Sequence, residues 1–179
     1  FSCIRLFISM IKAIFKYHIK VWGYLIMKIQ KKLKNMERID KEIKYLKTHG
    51  IIVGIFGEEG NKMQDGVTIG YYAKCLNYGT SKMEKKPFFF ESVGNKESIE
   101  IIKDKQREIL RKIYFENLTA EEGLNQLGIF IKQRIQDKIM NNNYKNDPKT
   151  IARKKRNKNN TLRENDFLLN SVSYQIIRI

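Results

Sequence analysis

The densest charge in the sequence is the run Arg153-Lys154-Lys155-Arg156, with Lys158 close behind. Between Asn141 and Arg163 eight lysines and arginines stand against one acid, Asp147. Cations at that density need solvent or an anion, because burying an unpaired charge is prohibitive. Phosphates or acidic protein surfaces are their natural partners, and a plain solvated loop is the alternative. Little else offers chemistry. His18 and His49 lack metal-ligand spacing, and His49 stands beside a helix end, where it reads as a surface or capping group. Cys3 and Cys75 make neither a disulfide framework nor a zinc site. Glu58 and Glu59 are adjacent, as solvated loop glutamates are. Gly54, Gly57 and Gly60 match neither a dinucleotide nor a P-loop fingerprint. With no nucleophile motif, carboxylate pair or metal cluster, the sequence reads as that of a binding protein and not an enzyme, with no cofactor.

Composition agrees with one globular domain that has a real core. The chain has 179 residues, an ordinary apolar share and only two prolines. Its net charge is +16, and its pI is near 9.8. Such a balance suits a polyanionic partner, although lysine-, asparagine- and isoleucine-rich composition also follows from an AT-rich genome.

Several elements position the basic run. Residues 28–48 read as a helix with Ile29, Leu33, Met36, Ile43 and Leu46 on its apolar face, Ile39 beside them, and Gly50 as its stop. Residues 51–56 are β-branched and apolar, as a strand is, and 57–66 read as a polar loop. Val67, Ile69 and Tyr71 alternate like a strand, but Thr68 also stands where it would cap a helix burying Ile69, Tyr72, Ala73 and Leu76. The helix is the preferred reading. Pro87 predicts an extended entry into Phe88-Phe89-Phe90, with some of these rings in the core and others free to face a partner. A second helix is expected from Glu97 to about Asn117, with Ile99, Ile102, Ile109 and Ile113 on one face.

Thr119 and Glu122 form a capping box that opens a third helix near Ala120. Leu124, Leu127, Ile131, Ile135 and Ile139 line its apolar face. Gly128 inside it points to close packing against a neighbour. Residues 141–163 read as a mobile basic loop, Leu168-Leu169 as a short helix, and 171–179 as a closing strand. Residues 1–26 are apolar with Arg5, Lys12, Lys16 and Lys20 interspersed. Their longest charge-free run, Leu6–Ile11, is too short to span a bilayer. On a helix Lys12, Lys16 and Lys20 would form one basic stripe, as a membrane-surface helix has. The change of character at Met27 reads instead as the end of an upstream or non-native extension, leaving 27–179 as a single domain.

Five segments together resemble the phage virion morphogenesis and tail-completion proteins, over about residues 51–179. Val53-Gly54-Ile55-Phe56 is similar to that family's first strand. Tyr72-Ala73 to Tyr78-Gly79-Thr80 is similar to its "Ala … Glu-Phe-Gly-Thr" block, and Lys86-Pro87-Phe88-Phe89 to its "Arg-Pro-Phe-Leu". Leu124 to Ile135, with Leu127-Gly128, resembles its long helix. Thr150 to Tyr174 resembles its C-terminal block, with a basic run, a turn and a "Ser-Ile-x-Tyr" end. Two positions depart. Glu164-Asn165-Asp166 stands where the family has "Asp-Thr-Gly", and Asn77 where an acidic residue is usual.

The resemblance implies an α+β domain, with a small antiparallel sheet packed against two or three long helices. It implies a structural protein at the virion neck or tail end, present in the host cytoplasm during assembly, that forms a homo-oligomeric ring with other neck or tail proteins. The stretches 57–66 and 141–163 would order on docking. Arg153, Lys154, Lys155, Arg156 and Lys158 would contact a partner or line a lumen through which DNA passes. No small-molecule substrate and no membrane are expected. The alternative is a basic nucleic-acid-binding accessory protein using the same cations, although only Tyr144 is available there for base stacking.

Overall fold

The computed structural model describes every residue except Phe1, Asp65, 156–159 and 164–165, and no side chains for residues 2–22, Gln64, Lys149 and Arg153. The chain divides into two compact units, Phe1–Lys44 and Tyr45–Ile179.

The first unit is a single helical rod. Helix α1 spans Ser2–Thr48 and runs unbroken through Met27, so the change in composition there is not a structural boundary. The division between units falls after Lys44, and residues 27–44 therefore lie outside the globular unit expected to begin at Met27. Ile29, Leu33 and Met36 keep 56, 55 and 59% of their surface exposed. They were expected on the apolar face of the helix. Their spacing does make a stripe, but no second element lies in this unit to cover it.

The second unit begins with the last turn of α1. The Tyr45 and His49 rings stack in parallel there, 4.0 Å apart. His49 Nδ1 lies 2.9 Å from Thr48 Oγ1 and 3.2 Å from the Tyr45 carbonyl oxygen, so this histidine serves the helix end, as its position suggested. The chain passes directly into strand β1, His49–Gly54, which places Gly50 inside a strand and not at a left-handed stop. β1 pairs antiparallel with the closing strand β4, Ser173–Arg178, from His49 opposite Arg178 to Gly54 opposite Ser173. The fold is α+β, with this small antiparallel sheet packed on long helices.

Residues 57–66 are more regular than a polar loop. Gly57–Asn61 forms a short helix, α2, and Met63–Gln64 (β2) pairs with Val67–Thr68 (β3). α2 rests on the next helix, α3, Ile69–Tyr78, through bare backbone. A Cβ on Gly60 would lie 3.3 Å from the Ile55 carbonyl oxygen, and one on Gly70 would lie 3.3 Å from that of Gly60. Glycine's missing side chain permits that approach. The preferred helical reading of 69–78 holds, with the Thr68 side chain accepting from Tyr71 N–H as its cap.

The three phenylalanines do not form an extended segment. Phe88 and Phe89 open a helical turn that continues as a π-helical turn, Phe90–Gly94. The cause is a distant acceptor: Asn77 Oδ1 takes the Phe89 N–H at 3.1 Å, while Glu91 N–H bonds back to the Pro87 carbonyl at 2.9 Å. The rings then divide. Phe88 is fully buried and Phe90 is 58% exposed.

Two long helices frame the core. α4 spans Lys96–Phe115, with Asn95 accepting from Ser98 N–H as its cap. α5 spans Ala120–Met140 and starts in the expected capping box between Thr119 and Glu122. A Cβ on Gly123 would lie 2.8 Å from Ile109 of α4. Leu124, Leu127, Ile135 and Ile139 are buried, and Ile131 touches both apolar clusters. The larger cluster gathers Ile69, Leu76, Phe88, Ile135, Ile139, Leu168 and Val172; the smaller gathers Ile109, Ile113 and Leu127. Gly128 lets α5 meet the sheet, since a Cβ there would come within 2.3 Å of the Tyr174 ring. Two short helices follow, α6 at Pro148–Arg153 and α7 at Phe167–Asn170.

Candidate functional site

Helix α5 ends at Met140, and its last carbonyls need partners. Asn142 Nδ2 donates to the Ile139 carbonyl at 2.8 Å, and Asn160 Nδ2 donates to that of Met140 at 2.7 Å. The two amides also meet, with Asn142 Nδ2 bonded to Asn160 Oδ1 at 2.7 Å. Thr161 Oγ1, in a buried side chain, sits 3.0 Å from Asn142 Oδ1 and 2.5 Å from the Tyr144 carbonyl oxygen. These groups clasp the two ends of the polar stretch 141–163 onto the end of α5.

The basic run adjoins this clasp, and its described lysines do not act alike. The backbone of Arg153 ends α6. Lys154 is 7% exposed, and its ammonium donates to the Asn160 carbonyl at 2.6 Å and to the Arg163 carbonyl at 2.9 Å. It was expected to reach a partner or DNA; instead it is spent inside the protein, holding the base of the loop. Lys155 is exposed. Arg156 and Lys158 lie outside the described residues. The stretch was also expected to be mobile throughout, yet α6 and the clasp give its described parts a defined course.

A second basic segment, Lys82 to Lys86, approaches the same place. Burial, and then the neighbouring Lys154 charge, push the Lys86 amine below its ordinary value, while Glu84 pulls the other way. In the sequence Lys86 sits in an unremarkable charged loop; only the fold brings it near residue 154.

A polar cluster ties α5 to the π-helical turn. Lys138 Nζ lies 2.5 Å from Glu91 Oε2 and 5.7 Å from the centre of the Tyr144 ring. Burial would raise the Glu91 carboxyl, but bonds to Lys138 and the nearby Tyr144 outweigh it and hold the group below its ordinary value. The Tyr144 hydroxyl is buried without completing a hydrogen bond of good geometry. Burial, and then the Glu91 carboxylate beside it, push the phenol up. One turn earlier on α5, Arg134 donates to the Ser92 carbonyl at 3.2 Å and to Ser98 Oγ at 3.0 Å. Arg134 and Lys138 are four residues apart, the one trace of this pairing in the sequence.

Two of the positive-φ positions, Gly79 and Asp166, flank segments of this site. Gly79 has φ of 78°, and a Cβ there would lie 3.0 Å from both Lys85 N and the Met83 carbonyl oxygen. Asp166 has φ of 57°, with its carboxylate gripped in a fork by Arg163 at 2.5 and 2.8 Å. Arg163 holds the Asp166 carboxyl below its ordinary value. Short polar side chains tolerate this conformation where a bulky residue would not.

A half-open pocket of about 220 Å³ lies between α3 and the chain at Phe89, lined by Ile55, Gly70, Ala73, Lys74, Asn77, Tyr78 and Phe89. Among the described residues no three histidine, cysteine or acidic side chains gather as a metal site would need, and no helix is long and apolar enough to cross a membrane. No family model, curated protein or solved structure matches the chain.

Proposed function

We propose that this chain is a structural assembly protein that completes the tail, or joins head and tail, of a tailed phage or prophage. It acts by binding and not by catalysis. The observation that carries the proposal is that the five segments similar to tail-completion proteins meet one another in the second unit. Val53 of the first strand stands opposite Tyr174 of the last block. Asn77, beside Gly79-Thr80, bonds to Phe89 of the Pro-Phe segment. Gly128 of the long helix receives the Tyr174 ring.

Both departures are compatible with the resemblance. Asp166 takes a left-handed conformation where the similar proteins have glycine. Asn77 offers its oxygen as an acceptor, as an acid would. Among the described residues no third strand pairs with β1 or β4, so the sheet has two open edges for neighbouring subunits. Identical subunits joined head to tail close into a ring in the neck or at the tail end.

Light scattering and negative-stain electron microscopy of the purified chain test this, and closed rings are the expected result. A strict monomer that binds DNA tightly, with affinity falling steeply as salt rises, would overturn it in favour of a nucleic-acid-binding accessory protein.

A further inference from the structure

We infer that α1 pairs in parallel with α1 of a second copy of this chain, along a seam made by Ile26, Ile29, Leu33 and Met36. These four residues are 50, 56, 55 and 59% exposed. They recur at intervals of three, four and three, the spacing that keeps apolar side chains on one line between two supercoiled helices. Isolated surface leucines and isoleucines are ordinary, but a continuous line of them on a helix is not.

Charge beside the seam selects the occupant and its direction. Lys32 and Glu37 are five residues apart, on opposite flanks of the seam. In a parallel pair that offset sets Lys32 of each helix against Glu37 of the other, giving two symmetric ion pairs. An antiparallel pair centred on the same seam sets Lys32 against Lys32, like against like. Asp40 occupies the next seam position, paired to Lys44 of its own helix at 2.7 Å, and ends the dry contact. A polar group at one seam position fixes the register. An anionic bilayer is the competing occupant, since Lys28, Lys31, Lys32, Lys34, Arg38 and Lys41 crowd this stretch. Glu37, Asp40 and Glu42 on the same stretch oppose adsorption to such a surface.

The inference deepens the assembly proposal and rests on it in one respect: both bring copies of this chain together, the two-fold α1 contact standing beside the head-to-tail contacts that close the ring. The test uses the full chain with Cys3→Ser and Cys75→Ser. In that background Leu33→Cys puts two thiols face to face across a parallel seam, whereas Lys31→Cys puts them on the far side. Under mild oxidation Leu33→Cys is expected to give at least tenfold more covalent dimer than Lys31→Cys. In sedimentation velocity Leu33→Asp is expected to give a smaller species than the unmodified chain. Equal cross-linking of the two cysteine variants overturns the inference, as does unchanged association of Leu33→Asp. Flotation of the unmodified chain with phosphatidylglycerol vesicles, without self-association, overturns it too. Rings without an excess of Leu33→Cys over Lys31→Cys cross-linking overturn the pairing and leave the assembly proposal standing. Leu33→Cys dimers without rings do the reverse.

Discussion

Leu124, Leu127, Ile135 and Ile139 of α5 are each less than a tenth exposed, whereas Ile29, Leu33 and Met36 of α1 each keep more than half of their surface. Both helices show apolar residues three and four apart. The difference lies in what surrounds them. α5 is met by α4 at Gly123 and by the sheet at Gly128, two places where a missing side chain brings another element close. α1 has no such notch in its described stripe. Helical spacing therefore defines a face, and the small residues within that face show whether the same chain covers it.

Four substitutions sharpen that contrast or break it. The largest effect is expected at the α5 side. Phe88→Ala empties a fully buried site in the cluster that α5 roofs, and should cost about 3–5 kcal/mol in chemical denaturation. Gly128→Ala comes next. Alanine gains about 1 kcal/mol of helix propensity over glycine, yet its Cβ would sit 2.3 Å from a ring atom of Tyr174. Overpacking of that kind costs about 1–3 kcal/mol, so the melting temperature should fall despite the better helix former.

A smaller effect is expected at Lys138→Met. Glu91 is held below its ordinary value of 4.5, so the stability it contributes is present above that value and lost as pH falls through the folded value. The melting difference between the unmodified chain and Lys138→Met should thus be present at pH 7 and close as the solution is acidified below 4.5. The smallest effect is expected on α1, where Leu33→Ala should leave unfolding of the second unit within about 0.5 kcal/mol of the unmodified chain. A loss as large as that of Phe88→Ala would mean that the stripe is covered within one chain and would erase the contrast.

Much of the second unit was legible in the sequence because its signals are local. Thr119 and Glu122 lie three residues apart and start α5; Thr68 caps α3; and Gly128 marked a close approach before its partner, Tyr174, was known. What was misread depends on residues far away in the chain. Pro87 alone suggests extension, but the N–H of Phe89 bonds to Asn77, twelve residues earlier, and the segment turns helical. Residues 57–61 are too few and too glycine-rich to signal a helix, and they gain one by lying on Gly70.

The basic run was legible as charge but not as geometry. Lys154 and Lys155 are indistinguishable in the sequence, yet one is buried against two carbonyls and the other is exposed. The deciding acceptors belong to Asn160 and Arg163, whose backbone direction no spacing rule reveals.

The Lys154 ammonium has a consequence for how this protein tolerates change. By binding the carbonyls of Asn160 and Arg163, it ties the end of α6 to the chain at 160–163. Lengthening a flexible closed loop costs only about 0.6 kcal/mol for each doubling. Extra residues inserted after Lys155 should therefore burden the domain little, so the length and composition of the chain between Lys155 and Asn160 can be changed for a different docking surface without rebuilding the core.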